Sequence, residues 1–283
     1  MPANPYELVN NVTNLVSLPE VYLKISELIN DPNTSLDKMG RVIEQDPGLT
    51  ARLLKIVNSP FYGFTSKIDT ISRALTVVGT NQLRDMILAT SATKTFKGLA
   101  NDLVTMENFW SHSLLCGIAA KAVGNTCLSR ARESLFVSGL LHDIGELVMF
   151  FRMPDTSRKV LERMENASIC LDMSQVEREI IGFDHAKVGG ELLKTWRLPG
   201  TIREAVEFHH TPERAPNFKM EAAVVNIANI LAQLAELQTT DRSQAPSIKP
   251  QTLQITGLDE GQAMALIPTI NEEFTAMKSL LIN

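Results

Sequence analysis

The chain has 283 residues, a formal net charge of −5 and 44% hydrophobic residues. That is enough apolar material for one large or two moderate packed domains. Charged residues make up 21%, which excludes a disordered polyelectrolyte, and the acidic balance argues against a nucleic-acid surface spread over the chain.

Three cysteines, Cys116, Cys127 and Cys170, show no C-x-x-C spacing. They suit buried thiols in a reducing compartment better than a disulfide framework. The opening stretch MPANPYELVNNVTNLV lacks the basic and then apolar pattern of a leader. The run LFVSGLLHDIGELVMFF is broken by His, Asp and Glu, which argues against a membrane span of about 18 residues. A soluble, cytoplasmic protein is the expectation.

Helical periodicity runs through most of the chain. In LVNNVTNLVSLPEVYLKISELI the apolar positions Leu15, Leu18, Val21, Leu23, Ile25, Leu28 and Ile29 share a face, with a break at Leu18-Pro19. SLDKMGRVIEQ starts at Ser35, a residue suited to the N-cap, and Asp46 caps PGLTARLLKIVN with Pro47 in its first turn. NSPFYGF is a turn, with Asn58 in an Asx-type role. TISRALTVVG and TNQLRDMILATSATKTF are two further helices.

The pattern breaks at Gly98–Asp102, where a boundary is placed. Helices are then expected over about 104–125, 130–151, 154–166, 172–181, 185–196, 199–209 and 217–238. Residues 239–257 read as a surface connection, and LDEGQAMALIPTINEEFTAMKSLL as an amphipathic helix kinked at Pro268. The fold class is all-α: a helical part over 1–100, a second helical bundle over 101–238, and a linker with a C-terminal helix over 239–283.

The five histidines are His112, His142, His185, His209 and His210, and the first hundred residues contain none. A lone histidine on an apolar helix is more often a core residue with one hydrogen bond than a ligand. Five of them crowded into one helical stretch, with Asp143 beside His142, are better explained by one three-dimensional cluster. Imidazoles and carboxylates are the usual ligands of Fe, Mn, Zn and Ni, and bundle helices can aim such side chains inward from distant positions. The doublet itself is placed mid-helix. Asp184 is expected to cap a helix that His185 opens. Glu177 and Glu179 are candidate partners for a histidine N–H.

These residues resemble the HD superfamily of metal-dependent phosphohydrolases, and in particular its HDOD offshoot, the HD-related output domain. The resemblance is carried, in order, by SLPEVYLKISELI, IEQDPGLTARLLKIVNSPFYG, ISRALTVVGTNQLRDMIL, FWSHSLLCGIAAKAV, ESLFVSGLLHDIGELVM, EREIIGFDHAKVGGELLKTWRLPGTIREAVEFHH and AAVVNIANILA. It spans about 15 to 235. It implies that His112 is the first metal ligand, that His142 and Asp143 are the doublet with Asp143 bridging, and that His185, His209 and His210 complete a second position. Asp143 would be the catalytic centre of any hydrolysis.

Three departures weigh against efficient catalysis. Asn229 stands where the superfamily has its last aspartate, and an amide oxygen brings no charge. Glu146 stands where related HD-GYP proteins carry a lysine after H-D-I-G, a substitution that opposes a phosphate anion. HHTPERAPNF replaces the G-Y-P signature.

The resemblance therefore implies a bacterial signal-transduction domain with a degenerate His/Asp site. Such a domain would act through a signalling partner or a small nucleotide-like effector, and an oligomer is compatible with it. An active metal-dependent phosphohydrolase is the alternative. A nucleic-acid regulator using residues 35–60 ranks lower, because Lys38, Arg41, Arg52 and Lys55 are offset by Asp37, Glu44 and Asp46.

Overall fold

The computed structural model describes residues 4–10, 12, 18–96, 102–127, 134–167, 171–237 and 247–282. Leu15, Cys170, residues 98–101 of the proposed boundary and 239–246 of the connection lie outside these residues. Among the described residues the chain is all-α, with no strand.

The first part comprises α1 (Pro5–Asn10), α2 (Glu20–Asn30), α3 (Leu36–Glu44), α4 (Pro47–Val57), α5 (Ile71–Val77) and α6 (Thr80–Phe96). The expected caps form: Ser35 Oγ accepts from Lys38 N at 3.3 Å, and Asp46 Oδ1 accepts from Leu49 N at 2.9 Å. Leu49, Leu53, Ile56 and Val57 bury one face of α4. Asn58 clamps the loop after α4, donating to Ile68 O at 2.7 Å and accepting from Ile68 N at 2.8 Å.

The second part comprises α7 (Met106–Cys127), α8 (Ser134–Leu140), α9 (Ile144–Arg152), α10 (Pro154–Glu165), α11 (Met173–Ile181), α12 (His185–Thr195), α13 (Gly200–Glu207) and α14 (Lys219–Leu237). Helix α7 packs on α8 and α14, α12 packs on α9 and α13, and α13 packs on α14. One continuous hydrophobic core runs from α1 to the C-terminal helix. Phe96 at the end of α6 meets both Trp110 of α7 and Trp196 after α12 edge-on, with ring centroids 6.5 and 6.3 Å apart.

Three expectations are corrected. His142 and Asp143 do not lie mid-helix: α8 stops at Leu140 and α9 starts at Ile144, so the doublet occupies the turn between them. The segment after residue 246 is not a mere surface connection. α15 (Pro250–Thr256) packs against α14 and buries Thr252 and Thr256. Pro268 makes no kink, because α17 (Ile267–Leu281) begins there, after the short α16 (Glu260–Met264). Proline suits a first helical turn, where its missing N–H leaves no bond unmade.

Two segments, Ser134–Arg152 and Lys219–Leu237, do reach the length and apolarity of a membrane span. Their apolar windows are 83% and 78% buried inside the fold, as expected of core helices.

Gly145 sets how closely α9 approaches α12. A Cβ on Gly145 would lie 2.0 Å from His185 O and 2.6 Å from Gly189 N, so any side chain there must push the two helices apart. Gly145→Ala is therefore expected to lower unfolding stability by about 3 kcal/mol or more, because rigid backbone leaves overpacking no flexible neighbour to absorb it. Chemical denaturation would measure it, and a loss below about 1 kcal/mol would contradict the close packing.

Candidate metal centre

Asp143 occupies the N-cap position of α9, yet its side chain makes no cap bond. An N-cap aspartate normally accepts from the N–H groups of the first turn and stabilises the helix by about 1 kcal/mol. Here the carboxylate turns instead into a nest of imidazoles. Its Oδ2 lies 2.9 Å from His142 Nε2 and 3.6 Å from His112 Nε2. Its Oδ1 lies 3.2 Å from His185 Nε2 and 3.7 Å from His209 Nε2. Each oxygen thus faces its own pair of histidines, which is the layout of a bridging carboxylate.

The histidines are fixed through their far nitrogens. His142 Nδ1 is 2.8 Å from Gly139 O, at the end of α8. His209 lies in the turn after α13, and its Nδ1 is 2.7 Å from Val206 O. Only N–H can pair with a carbonyl, so in both rings Nδ1 carries a proton and Nε2 is the atom turned towards Asp143. Both Nε2 atoms and Asp143 Oδ1 are buried without a hydrogen-bond partner. Orphaned polar atoms are costly in a core, and a metal ion would satisfy all three.

His185 opens α12. Its N-cap Asp184 accepts from Lys187 N at 3.0 Å and is paired with Arg178 of α11. Glu177 Oε2 accepts from His185 N at 2.9 Å and from Nδ1 at 2.7 Å, the carboxylate–histidine arrangement that orients metal ligands. Glu179 points elsewhere and pairs with Arg163 at 2.6 Å. His210 Nε2 sits 2.9 Å from His185 Nε2. Two nitrogens bound side by side to one ion at ~2.1 Å would lie about 3.0 Å apart at right angles. His112 projects from the middle of α7, with Nδ1 3.0 Å from Glu236 Oε2 on α14.

Three groups could each hold an ion, with ligand atoms all within 4.8 Å of one another: His185, His209 and His210; His112, His142 and Asp143; and Asp143, Glu146 and His185. All six residues that the resemblance implies as ligands are gathered in one place. Asn229 faces an adjoining cavity, and its Oδ1 accepts from Gln233 Nε2 at 3.0 Å.

The proton occupancy follows from the packing. Burial lowers His112, but the Glu236 hydrogen bond and the Asp143 charge outweigh it and raise it to about 9. Burial likewise opposes the charged form of His185, yet Glu177 and Asp143 hold it well above its ordinary value. Burial and the Asp143 charge push Glu146 up to about 8, so at neutral pH it is chiefly protonated. Burial and His142 push His209 down to about 3, and burial and His209 hold His210 well below its ordinary value.

Two cavities meet at the centre, and both are lined by Asp143, Glu146 and Gln233. The larger, about 1160 Å³, runs along α7 and α17 between His112, Phe109, Phe274 and Lys278. The smaller, about 630 Å³, is bounded by His185, His210, Asn229 and Lys249.

Sequence reasoning missed Glu236, Gln233 and Asn226, whose Nδ2 donates to His209 O at 2.7 Å. The signal was present: Asn226, Asn229, Gln233 and Glu236 recur at helical spacing on an otherwise apolar helix.

An all-α bundle that turns a His-Asp doublet and four further histidines onto one buried point defines an HD-type domain. The HDOD domain family model matches residues 15–212, and the chain belongs to that family. An uncharacterised protein of Treponema pallidum (strain Nichols) is 26% identical over 237 residues, which is 82% of this chain but 45% of the relative; the chain thus spans less than half of that protein. An HDOD domain protein of unknown function from Geobacter sulfurreducens is 25% identical, with a TM-score of 0.76 and 99% of each chain covered. A candidate phosphohydrolase from Shewanella amazonensis SB2B shares the fold at 21% identity, with a TM-score of 0.76 and 97% of each chain covered.

Proposed function

We propose that this HDOD protein is a bacterial signalling domain whose His/Asp centre holds a divalent transition metal, Fe, Mn, Zn or Ni. The metal anchors a small anionic effector, and the occupied state is read by a protein partner. His112, His142, Asp143, His185, His209 and His210 are the proposed ligands. Bound metal would supply a Lewis acid for an effector oxygen. Glu177 and Glu236 hold His185 and His112 in register, while Val206 O and Gly139 O fix the ring orientation of His209 and His142.

The observation that carries the regulatory reading is the lining of the two cavities. Among the described residues their cationic side chains other than histidine are Lys278 and Lys249, and Lys278 is already paired with Glu107 at 3.1 Å. Among the described residues no arginine lines either cavity. Phosphoryl transfer relies on cations clamped around the reacting oxygens, and here Glu146 supplies none. Binding without fast turnover is the consequence.

Metal analysis of protein purified without chelator, followed by incubation with a cyclic dinucleotide, tests this. The expected result is bound transition metal with negligible hydrolysis. Rapid metal-dependent hydrolysis abolished by Asp143→Ala would instead establish the phosphohydrolase alternative, which the intact bridging geometry of Asp143 favours. Absence of any bound metal would sink both.

A further inference from the structure

We propose that Glu146 is itself a metal ligand and replaces the anion lost at Asn229. This rests on the metal-binding reading above and adds to it a residue that the resemblance places against the site's chemistry. Three residues on the molecule support it. Glu146 follows Asp143 by three positions at the start of α9, so both carboxylates leave the same side of the helix. Their oxygens and the His185 imidazole offer ligand atoms within 4.8 Å of one another. That proximity is built by backbone: Gly145 lets α9 press directly on the first residue of α12.

Among the described residues the Glu146 carboxyl group has no hydrogen-bond partner of its own. Among the described residues, the imidazole nitrogen within 4.0 Å of its carboxylate is His185 Nδ1, which already serves Glu177. A carboxyl placed beside Asp143 without a cation of its own is an unfavourable arrangement unless a cation arrives. Asn229 faces the same smaller cavity as Glu146, and its amide oxygen is taken up by Gln233.

The two departures from the superfamily pattern are therefore complementary. One removes a negative charge from the centre, and the other supplies one from a different helix. The metal keeps two carboxylates, Asp143 and Glu146, in place of Asp143 and the missing aspartate. A mixed oxygen and imidazole set of this kind suits Mn²⁺ or Fe²⁺.

Titrating the metal-free protein with Mn²⁺, followed by electron paramagnetic resonance and calorimetry, gives a readout independent of catalysis. Glu146→Gln is expected to weaken Mn²⁺ binding by about 10- to 100-fold or to remove one equivalent, with unchanged circular dichroism. Glu146→Asp, which keeps the charge, should retain binding, and Asn229→Asp added to Glu146→Gln should restore it. If the wild-type protein binds no Mn²⁺, Fe²⁺ or Zn²⁺, the metal reading itself fails. If the wild type binds and Glu146→Gln matches it in stoichiometry, affinity and spectrum, the Glu146 assignment alone is overturned. Loss without rescue by Asn229→Asp overturns the exchange.

Discussion

Asp143→Ala is expected to empty the whole centre rather than half of it. Oδ2 faces His142 and His112, and Oδ1 faces His185 and His209, so one side chain serves both groups of ligands. Changes to residues that merely orient ligands cost about 10- to 100-fold in affinity. Loss of the shared carboxylate should exceed about 100-fold at both positions. The metal-free protein should also suffer. Burial opposes charge on Asp143, but His142 and His185 hold it well below the usual carboxylate range. Removing it leaves the His185 imidazolium with Glu177 alone. Breaking a buried ion pair by removing one partner costs about 3–5 kcal/mol, and the Glu177 pairing that remains places the loss at the lower end of that range. Elemental analysis and urea denaturation would read the two effects separately. A variant that kept half of its metal would show that Asp143 does not bridge.

The second large effect is a steep pH dependence of metal affinity. In the metal-free protein His112, at about 9, His185, raised well above its ordinary value, and Glu146, at about 8, hold protons at neutral pH. His209, at about 3, and His210, held well below its ordinary value, carry none. A metal entering the cluster must displace the first set. Each displaced proton tightens apparent binding by about tenfold per pH unit below its pKa. Between pH 6 and 7.5 the apparent Kd should therefore fall by about 100-fold per unit for the two imidazoles, and more steeply if Glu146 also binds.

The slope should lessen as pH passes 8 to 9, where Glu146 and His112 lose their protons unaided. Calorimetry in buffers of different ionisation enthalpy would count about two protons released or more. Affinity independent of pH would contradict the proton occupancy. The metal-free protein should move the opposite way. His112 and Glu146 have folded pKa values above their unfolded ones. Their stabilising contribution is complete below the unfolded values and is lost as pH rises through about 8 to 9.

The helices, their caps at Ser35, Asp46 and Asp184, and the gathering of the five histidines were legible in the sequence, because period, cap chemistry and residue type are local signals. The turn at Leu141–Asp143 was not. LFVSGLLHDIGELVMFF is apolar on both sides of the doublet and holds no proline to mark a stop; the break falls where α8 packs on α7 and α9 on α12. Glu177 and Glu179 could not be told apart by composition, since two positions on one helix differ by about 200° in direction. Only the fold shows that Glu177 faces inward while Glu179 reaches Arg163. Glu146 read as a charge that repels phosphate, and its proton occupancy emerged only from its burial beside Asp143.

The wall of the larger cavity divides at the limit of the family match. The ligand histidines and Asp143 lie within residues 15–212, the portion that the family model matches. Gln233, Glu236, Asn271, Phe274 and Lys278, which shape the chamber above them, all lie beyond it. Substitutions at Asn271 or Phe274 on α17 would therefore reshape the chamber without touching a proposed ligand, whereas Glu236 on α14 is tied to His112 and would not be neutral.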